Sequence, residues 1–257
     1  MATRAGAGSA DLRDDRRFFM ISALVMAAVM VAGFSLSIVM GRSSFGAPLL
    51  VHFHAVVFFG WVAIYVAQNV LAARGPIALH RQLGWVAAFW VVPMLVLGCL
   101  VTFAMVRRGG VPFFFQPLHF LVFDPMTLFG FAGLTYAAIA LRRQTDWHRR
   151  LNLCAMVLLL GPGFGRLLPM PLMIPYAFEA AFLAGLIFPV AGMVADVRRS
   201  GRIHPAWHWG LGAIFATLVL IELIPHSTIG LALYQMITAG GIGESVAPMA
   251  FPPPHAP

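Results

Sequence analysis

Residues 48–84 read PLLVHFHAVVFFGWVAIYVAQNVLAARGPIALHRQLG. The apolar run over 48–73 is long enough to cross a bilayer, whose ~30 Å of hydrocarbon takes ~20 apolar residues as a helix. Arg74-Gly75-Pro76 stops it, and a second apolar run begins at 83. The polar and aromatic residues inside the first run keep helical register. His54, Phe58, Trp61, Tyr65 and Gln68 follow in steps of 4, 3, 4 and 3, which draws one stripe on one face. Such a stripe is poorly suited to lipid tails and predicts a face turned toward other helices.

The rest of the chain repeats this pattern. Of 257 residues, 60% are hydrophobic and 10% charged, against about 25% charged in a soluble domain. A water-soluble fold of this size has no place to hide so much apolar surface. Apolar stretches run over 18–40, 48–73, 83–106, 117–141, 151–170, 174–197 and 207–232. They predict an all-α, polytopic bundle of seven transmembrane helices over 18–232. A disordered cytoplasmic tail is expected over 1–17 and a flexible, Pro-rich tail over 233–257. The first stretch is too long for a signal-peptide core and is read as an uncleaved helix. The fifth is the weakest, because Gly161-Pro162-Gly163 interrupts it and predicts a bent or re-entrant helix. Cys99 and Cys154 read as small apolar residues inside helices.

The net charge is +8, and all 17 basic residues are Arg. They do not form a nucleic-acid patch, since they sit in short loops between apolar stretches. One side carries Arg4, Arg13, Arg16, Arg17, Arg74, Arg81, Arg142, Arg143, Arg149, Arg150, Arg198, Arg199 and Arg202; the other carries Arg42, Arg107 and Arg108. Positive residues stay on the cytoplasmic side. The N-terminus is therefore expected inside and, with seven crossings, the C-terminus outside, in a bacterial inner membrane. The expected partners are the bilayer and its anionic headgroups at the Arg loops, with a homo-oligomer or a larger membrane complex left open.

Ionisable groups within a bilayer are expensive and mark functional candidates. His52, His54, His119, Asp124, Arg166, Glu179, Glu222 and His226 come from five stretches, yet all fall in the outer part of the membrane under this topology. Of His52 and His54, only His54 lies on the interior stripe. Glu222 and His226 are i, i+4 and share a face. Imidazoles with carboxylates suit a divalent transition metal, and paired imidazoles suit haem b. The expected metal or haem ligands are His54, His119, His226, Glu222 and Asp124. Arg166, Glu179, His52 and Gln68 are expected in an ion pair or a pathway. On the cytoplasmic side His80, Arg81, His148, Arg149, Arg150 and His204 read as juxtamembrane groups that meet headgroup phosphates or cap helices, or as a second haem level.

The cytoplasmic loops rhyme: ARGPIALHRQLG, LRRQTDWHRRLN and VRRSGRIHPAWH each set Arg, a spacer and a His before the next helix. H-x-H-A-x-x-F-x-x-W at His52–Trp61, Gln68, L-H-R-x-L-G at Leu79–Gly84, H-R-R-L at His148–Leu151, Arg166 and G-R-x-H-P at Gly201–Pro205 together resemble a group of uncharacterised bacterial inner-membrane proteins. That likeness implies a multi-helix membrane fold and carries no activity. His54, His80, His119 and His148 on two hairpins resemble, more weakly, the two-haem transmembrane b-type cytochromes. Three functions follow as expectations: a metal- or haem-binding redox protein, a proton-coupled transporter or accessory membrane protein whose polar cluster is structural or a solute site, and a membrane-embedded metal-dependent hydrolase.

Overall fold

A computed structural model describes residues 3–253, with side chains from Asp14 onward; the parts of the two expected tails at 1–2 and 254–257 lie outside the described residues. The elements are α1 (Thr3–Val39), α2 (Leu49–Arg74), α3 (Ile77–Arg107), α4 (Pro117–Ala140), α5 (Thr145–Leu158), α6 (Gly161–Leu167), α7 (Ala177–Gly185), α8 (Ile187–Ser200), α9 (Pro205–Leu223) and α10 (Thr228–Thr238), with no strand among the described residues. The breaks follow local chemistry. Pro117 and Pro205 open α4 and α9 at the first helical position, where a missing N–H costs nothing. Gly201, at φ +71°, ends α8 in the left-handed conformation.

The protein is all-helical, and six segments are long and apolar enough to cross a membrane: 14–39, α2, α3, α4, the α7–α8 pair and 205–226. The expected fifth helix is divided, as its Gly-Pro-Gly foretells, into α5 and the short α6. The expected 207–232 stretch also divides. A 3-10 turn at Ile224–His226 follows α9, and α10 is a separate helix.

The outer surface of the bundle is apolar. On α3 the exposed side chains Trp85, Phe89, Val92, Val96 and Leu100 follow one another at helical spacing, a face compatible with lipid contact. At the centre lies α5, whose 151–160 region is almost wholly buried apart from Asn152; Leu153, Cys154 and Leu160 have no exposure. It packs between α4 and α9. Glycines set these approaches: Gly210 of α9 sits on Cys154, and Gly192 of α8 on the Trp207 ring. Gly33 of α1 touches α6 so closely that a Cβ there would lie 2.5 Å from the Gly163 carbonyl oxygen. Small residues play this role in membrane bundles generally.

The two ends of the bundle are distinct. The first turns of α5 and α9, the end of α8 and Asp15 of α1 meet at one end through ion pairs and hydrogen bonds. The starts of α4 and α7 meet the end of α9 at the other, through His119, Phe178 and Glu222. Since α9 joins the two ends, the α5–α6 segment begins at one and delivers the chain to the other.

Both expected tails are in part structured. α1 is helical from Thr3, well before residue 18. Beyond residue 233 the chain folds back on the ends of α3 and α4. The Tyr234 hydroxyl lies 3.0 and 3.1 Å from the carbonyl oxygens of Gly243 and Val246, Leu118 N–H donates to Pro248 O at 2.9 Å, and Gln116 Nε2 donates to Met249 O at 2.7 Å.

Candidate functional site

His80 is in the first turn of α3 and His148 in the first turn of α5; both helices pack on α4. The two imidazoles lie close together, with ring centroids 6.4 Å apart and planes nearly perpendicular at 88°. Each ring is fixed from behind by a backbone carbonyl: His80 Nδ1 lies 3.2 Å from Gln68 O, and His148 Nδ1 lies 2.8 Å from Ala138 O. A carbonyl only accepts, so each Nδ1 carries the proton and each Nε2 keeps its lone pair. The Asn152 amide nitrogen is 3.4 Å from both nitrogens of His148, and its shorter bond goes to His148 O at 2.9 Å. Arg81 lies within electrostatic reach of His80, and Arg142 within that of His148. Among the described residues neither arginine is in an ion pair. Close by in the sequence of α2, Gln68 Oε1 and Trp61 Nε1 are buried without a partner, as is Thr135 Oγ1 on α4.

Beside this pair lies a buried ion network. Arg150 pairs with Asp196, whose carboxylate also accepts from Trp207 Nε1 at 2.8 Å and lies 2.9 Å from Arg199 Nη2. Asp15 joins α1 to it through Arg149 and through Arg199, the latter at 2.5 Å. Arg149 also meets Asp146. Arg149 and Arg150, expected at lipid headgroups, are therefore internal. Their carboxylates explain why: Asp15, Asp146 and Asp196 lie within four residues of arginines in the sequence, a signal that counting arginines alone passes over. His204 serves as the N-cap of α9, its Nδ1 accepting from Ala206 N at 3.1 Å.

The eight outer candidates divide. His119, Glu179, Glu222 and His226 line one cavity of about 70 Å³, and His119 Nε2 lies 3.1 Å from Glu222 Oε1. His54 and Asp124 form a second group around Arg166, each within electrostatic reach of its guanidinium. Arg166 makes no ion pair there among the described residues; its guanidinium lies 3.9 Å over the Phe34 ring and donates to Pro162 O at 2.8 Å. Asp124 accepts from Thr102 Oγ1 at 3.1 Å. His54 stacks on Phe58 at 4.1 Å with a buried, unpartnered Nδ1, while His52 turns away to Phe45 O at 3.1 Å. The α2 stripe does face the bundle, with Trp61 and Tyr65 buried. Among the described residues no three His, Cys, Asp or Glu side chains stand close enough to share a metal ion, so the expected ligands His54, His119, His226, Glu222 and Asp124 do not make one first shell.

No protein-family model, curated protein or solved structure matches the chain.

Proposed function

We propose that the protein is a seven-crossing bacterial inner-membrane protein that holds a redox haem between His80 and His148 at its cytoplasmic end. The observation that carries this reading is the spacing of the His80–His148 pair. An imidazole bound at ~2 Å has its ring centroid ~3.2 Å from the metal, so two ligands on opposite sides of one ion put their centroids ~6.4 Å apart, against ~5.2 Å at a tetrahedral angle. The observed 6.4 Å equals the wider spacing, so His80 and His148 would hold the iron of a haem, which would supply one-electron chemistry there. Each Nδ1–H on a backbone carbonyl is the support that ligating histidines ordinarily have. The flanking Arg81 and Arg142 repel a bare divalent cation and suit a macrocycle that carries two carboxylates.

The sidedness follows from charge. The end that gathers Asp15, Arg149, Arg150 and Arg199 is the one with the arginine excess, so it is the cytoplasmic end. The α5–α6 segment is the seventh crossing, broken where the buried Leu159–Leu160 turn is satisfied by its neighbours. The hydrolase alternative has less support, because a catalytic zinc takes three protein ligands and the described residues bring no such group together.

The test is the absorption spectrum of the full chain, purified in mild detergent from cells supplied with a haem precursor. The expected result is a Soret band with one haem per chain, lost in both His80→Ala and His148→Ala and kept in His54→Ala and His119→Ala. Folded, colourless wild-type protein overturns the proposal; stoichiometric zinc or copper in elemental analysis of that protein would reassign the pair to a bare metal.

A further inference from the structure

The outer cavity has a chemistry of its own, independent of the haem reading. Its lining includes Glu179 and Glu222 with His119 and His226 beside Phe114, Phe178 and Phe251, and no arginine lines it. In a chain of net charge +8 this is an acidic exception. His119 fixes one wall: its Nε2 is 3.1 Å from Glu222 Oε1, and its ring packs edge-on against Phe178 at 5.1 Å. With Nε2–H donating to Oε1, Glu222 keeps Oε2 for a second partner.

We infer that this cavity binds a small organic ammonium ion, with Glu179 and Glu222 neutralising its charge and the phenylalanine rings covering its alkyl groups. Aromatic faces attract a cation through their quadrupole, most strongly when it is partly desolvated and its groups are apolar. An inorganic divalent ion lacks three suitably placed ligands among the described residues, and an anion meets two carboxylates. Size narrows the class further. The volume of about 70 Å³ is under half of the ~150 Å³ that encloses one benzene ring, so the cavity takes the ammonium end of ethanolamine or choline, with the rest of the molecule at its open mouth. The ammonium can come free from the outer compartment or as the headgroup of a lipid in the outer leaflet.

The experiment measures radiolabelled choline and ethanolamine binding to the full chain in nanodiscs of phosphatidylglycerol alone, and in nanodiscs that also contain phosphatidylcholine or phosphatidylethanolamine. One saturable site per chain is expected in phosphatidylglycerol, with no competition from the neutral isostere 3,3-dimethylbutanol. Glu179→Gln and Glu222→Gln should each weaken binding by about tenfold or more. Phe178→Leu, which keeps an apolar side chain, should weaken it about threefold or more. Binding suppressed by the zwitterionic lipids assigns the site to a headgroup; unsuppressed binding assigns it to a free ion; either supports the site. Absence of saturable binding in phosphatidylglycerol, equal competition by the neutral isostere, or wild-type affinity in both glutamine variants overturns it. A colourless protein that still binds choline leaves this site standing and removes only the haem.

Discussion

Arg150 grips Asp196 with two parallel hydrogen bonds, Nε to Oδ2 at 3.0 Å and Nη2 to Oδ1 at 2.5 Å, where both residues are 5% exposed or less. The pair joins α5, the centre of the bundle, to α8, and Trp207 brings in α9 through the same carboxylate. Removing one partner strands a buried charge, which costs roughly 3–5 kcal/mol. Asp196→Ala is therefore expected to lower thermal stability in detergent sharply, and Arg150→Lys to fall in between, because an ammonium cannot make the two-toothed contact. The double variant Arg150→Met, Asp196→Leu should recover much of the loss. A double variant as unstable as the sum of the single ones would mean that the pair does not act as a unit.

His204 predicts a pH dependence. It lies between α8 and α9, outside the spanning segments, and burial, reinforced by the nearby Arg150 guanidinium, pushes its pKa below the usual histidine value. The lowered value agrees with its contact, since Nδ1 must be unprotonated to accept from Ala206 N. The unfolded chain takes up this proton near pH 6.5 while the folded chain resists it. Stability from the neutral cap is thus complete above about pH 6.5 and declines as pH falls toward the lower folded value. Unfolding temperatures between pH 7.5 and 5 should show this decline. His204→Asn, which keeps a capping oxygen and cannot titrate, should flatten it; an equally steep decline in that variant would place the titration elsewhere.

The contact of Gly33 with Gly163 sets how closely α6 approaches α1. A methyl group at residue 33 meets the backbone, which cannot yield as a flexible side chain can. Gly33→Ala should therefore cost about 1–3 kcal/mol, as overpacking does, while Gly133→Ala, with nothing within 4 Å of the added carbon, should leave the unfolding temperature nearly unchanged. Equal effects at the two positions would show that α6 can move away from α1.

The sequence makes the membrane class and the six long helices legible, because length and hydropathy are local properties. The α2 stripe is legible for the same reason, and the break in α5–α6 is announced by Gly161-Pro162-Gly163. His119, Glu179, Glu222 and His226, taken from separate stretches, do line one cavity. Which face each helix turns toward which neighbour is not local. It separates His54, Asp124 and Arg166 from that cavity and brings His80 to His148 across two hairpins. The ion network was hidden for a different reason. Its arginines also serve as topology signals, and although each carboxylate has an arginine within four residues, the pairs Arg149–Asp15, Arg199–Asp15 and Arg150–Asp196 join different helices.

Arg81 and Arg142 supply the last expectation, which rests on the proposed haem. A positive charge beside the iron favours the reduced state, which holds one electron more. At ~10 Å and an effective dielectric of ~20–40, a unit charge is worth roughly 0.8–1.7 kcal/mol, or roughly 35–70 mV for a one-electron couple. Arg81→Gln and Arg142→Gln should each lower the midpoint potential by tens of millivolts while leaving the Soret band in place, because neither residue is a ligand. The shifts should shrink as salt is raised, since both side chains are exposed and screened by solvent ions. Arg166→Gln is the control: its guanidinium is engaged with Phe34 and Pro162 in the other group of residues, and its removal should leave the potential unchanged. Potentials that fall with Arg166→Gln and not with Arg81→Gln or Arg142→Gln would put the redox centre in the outer half of the membrane, away from His80 and His148.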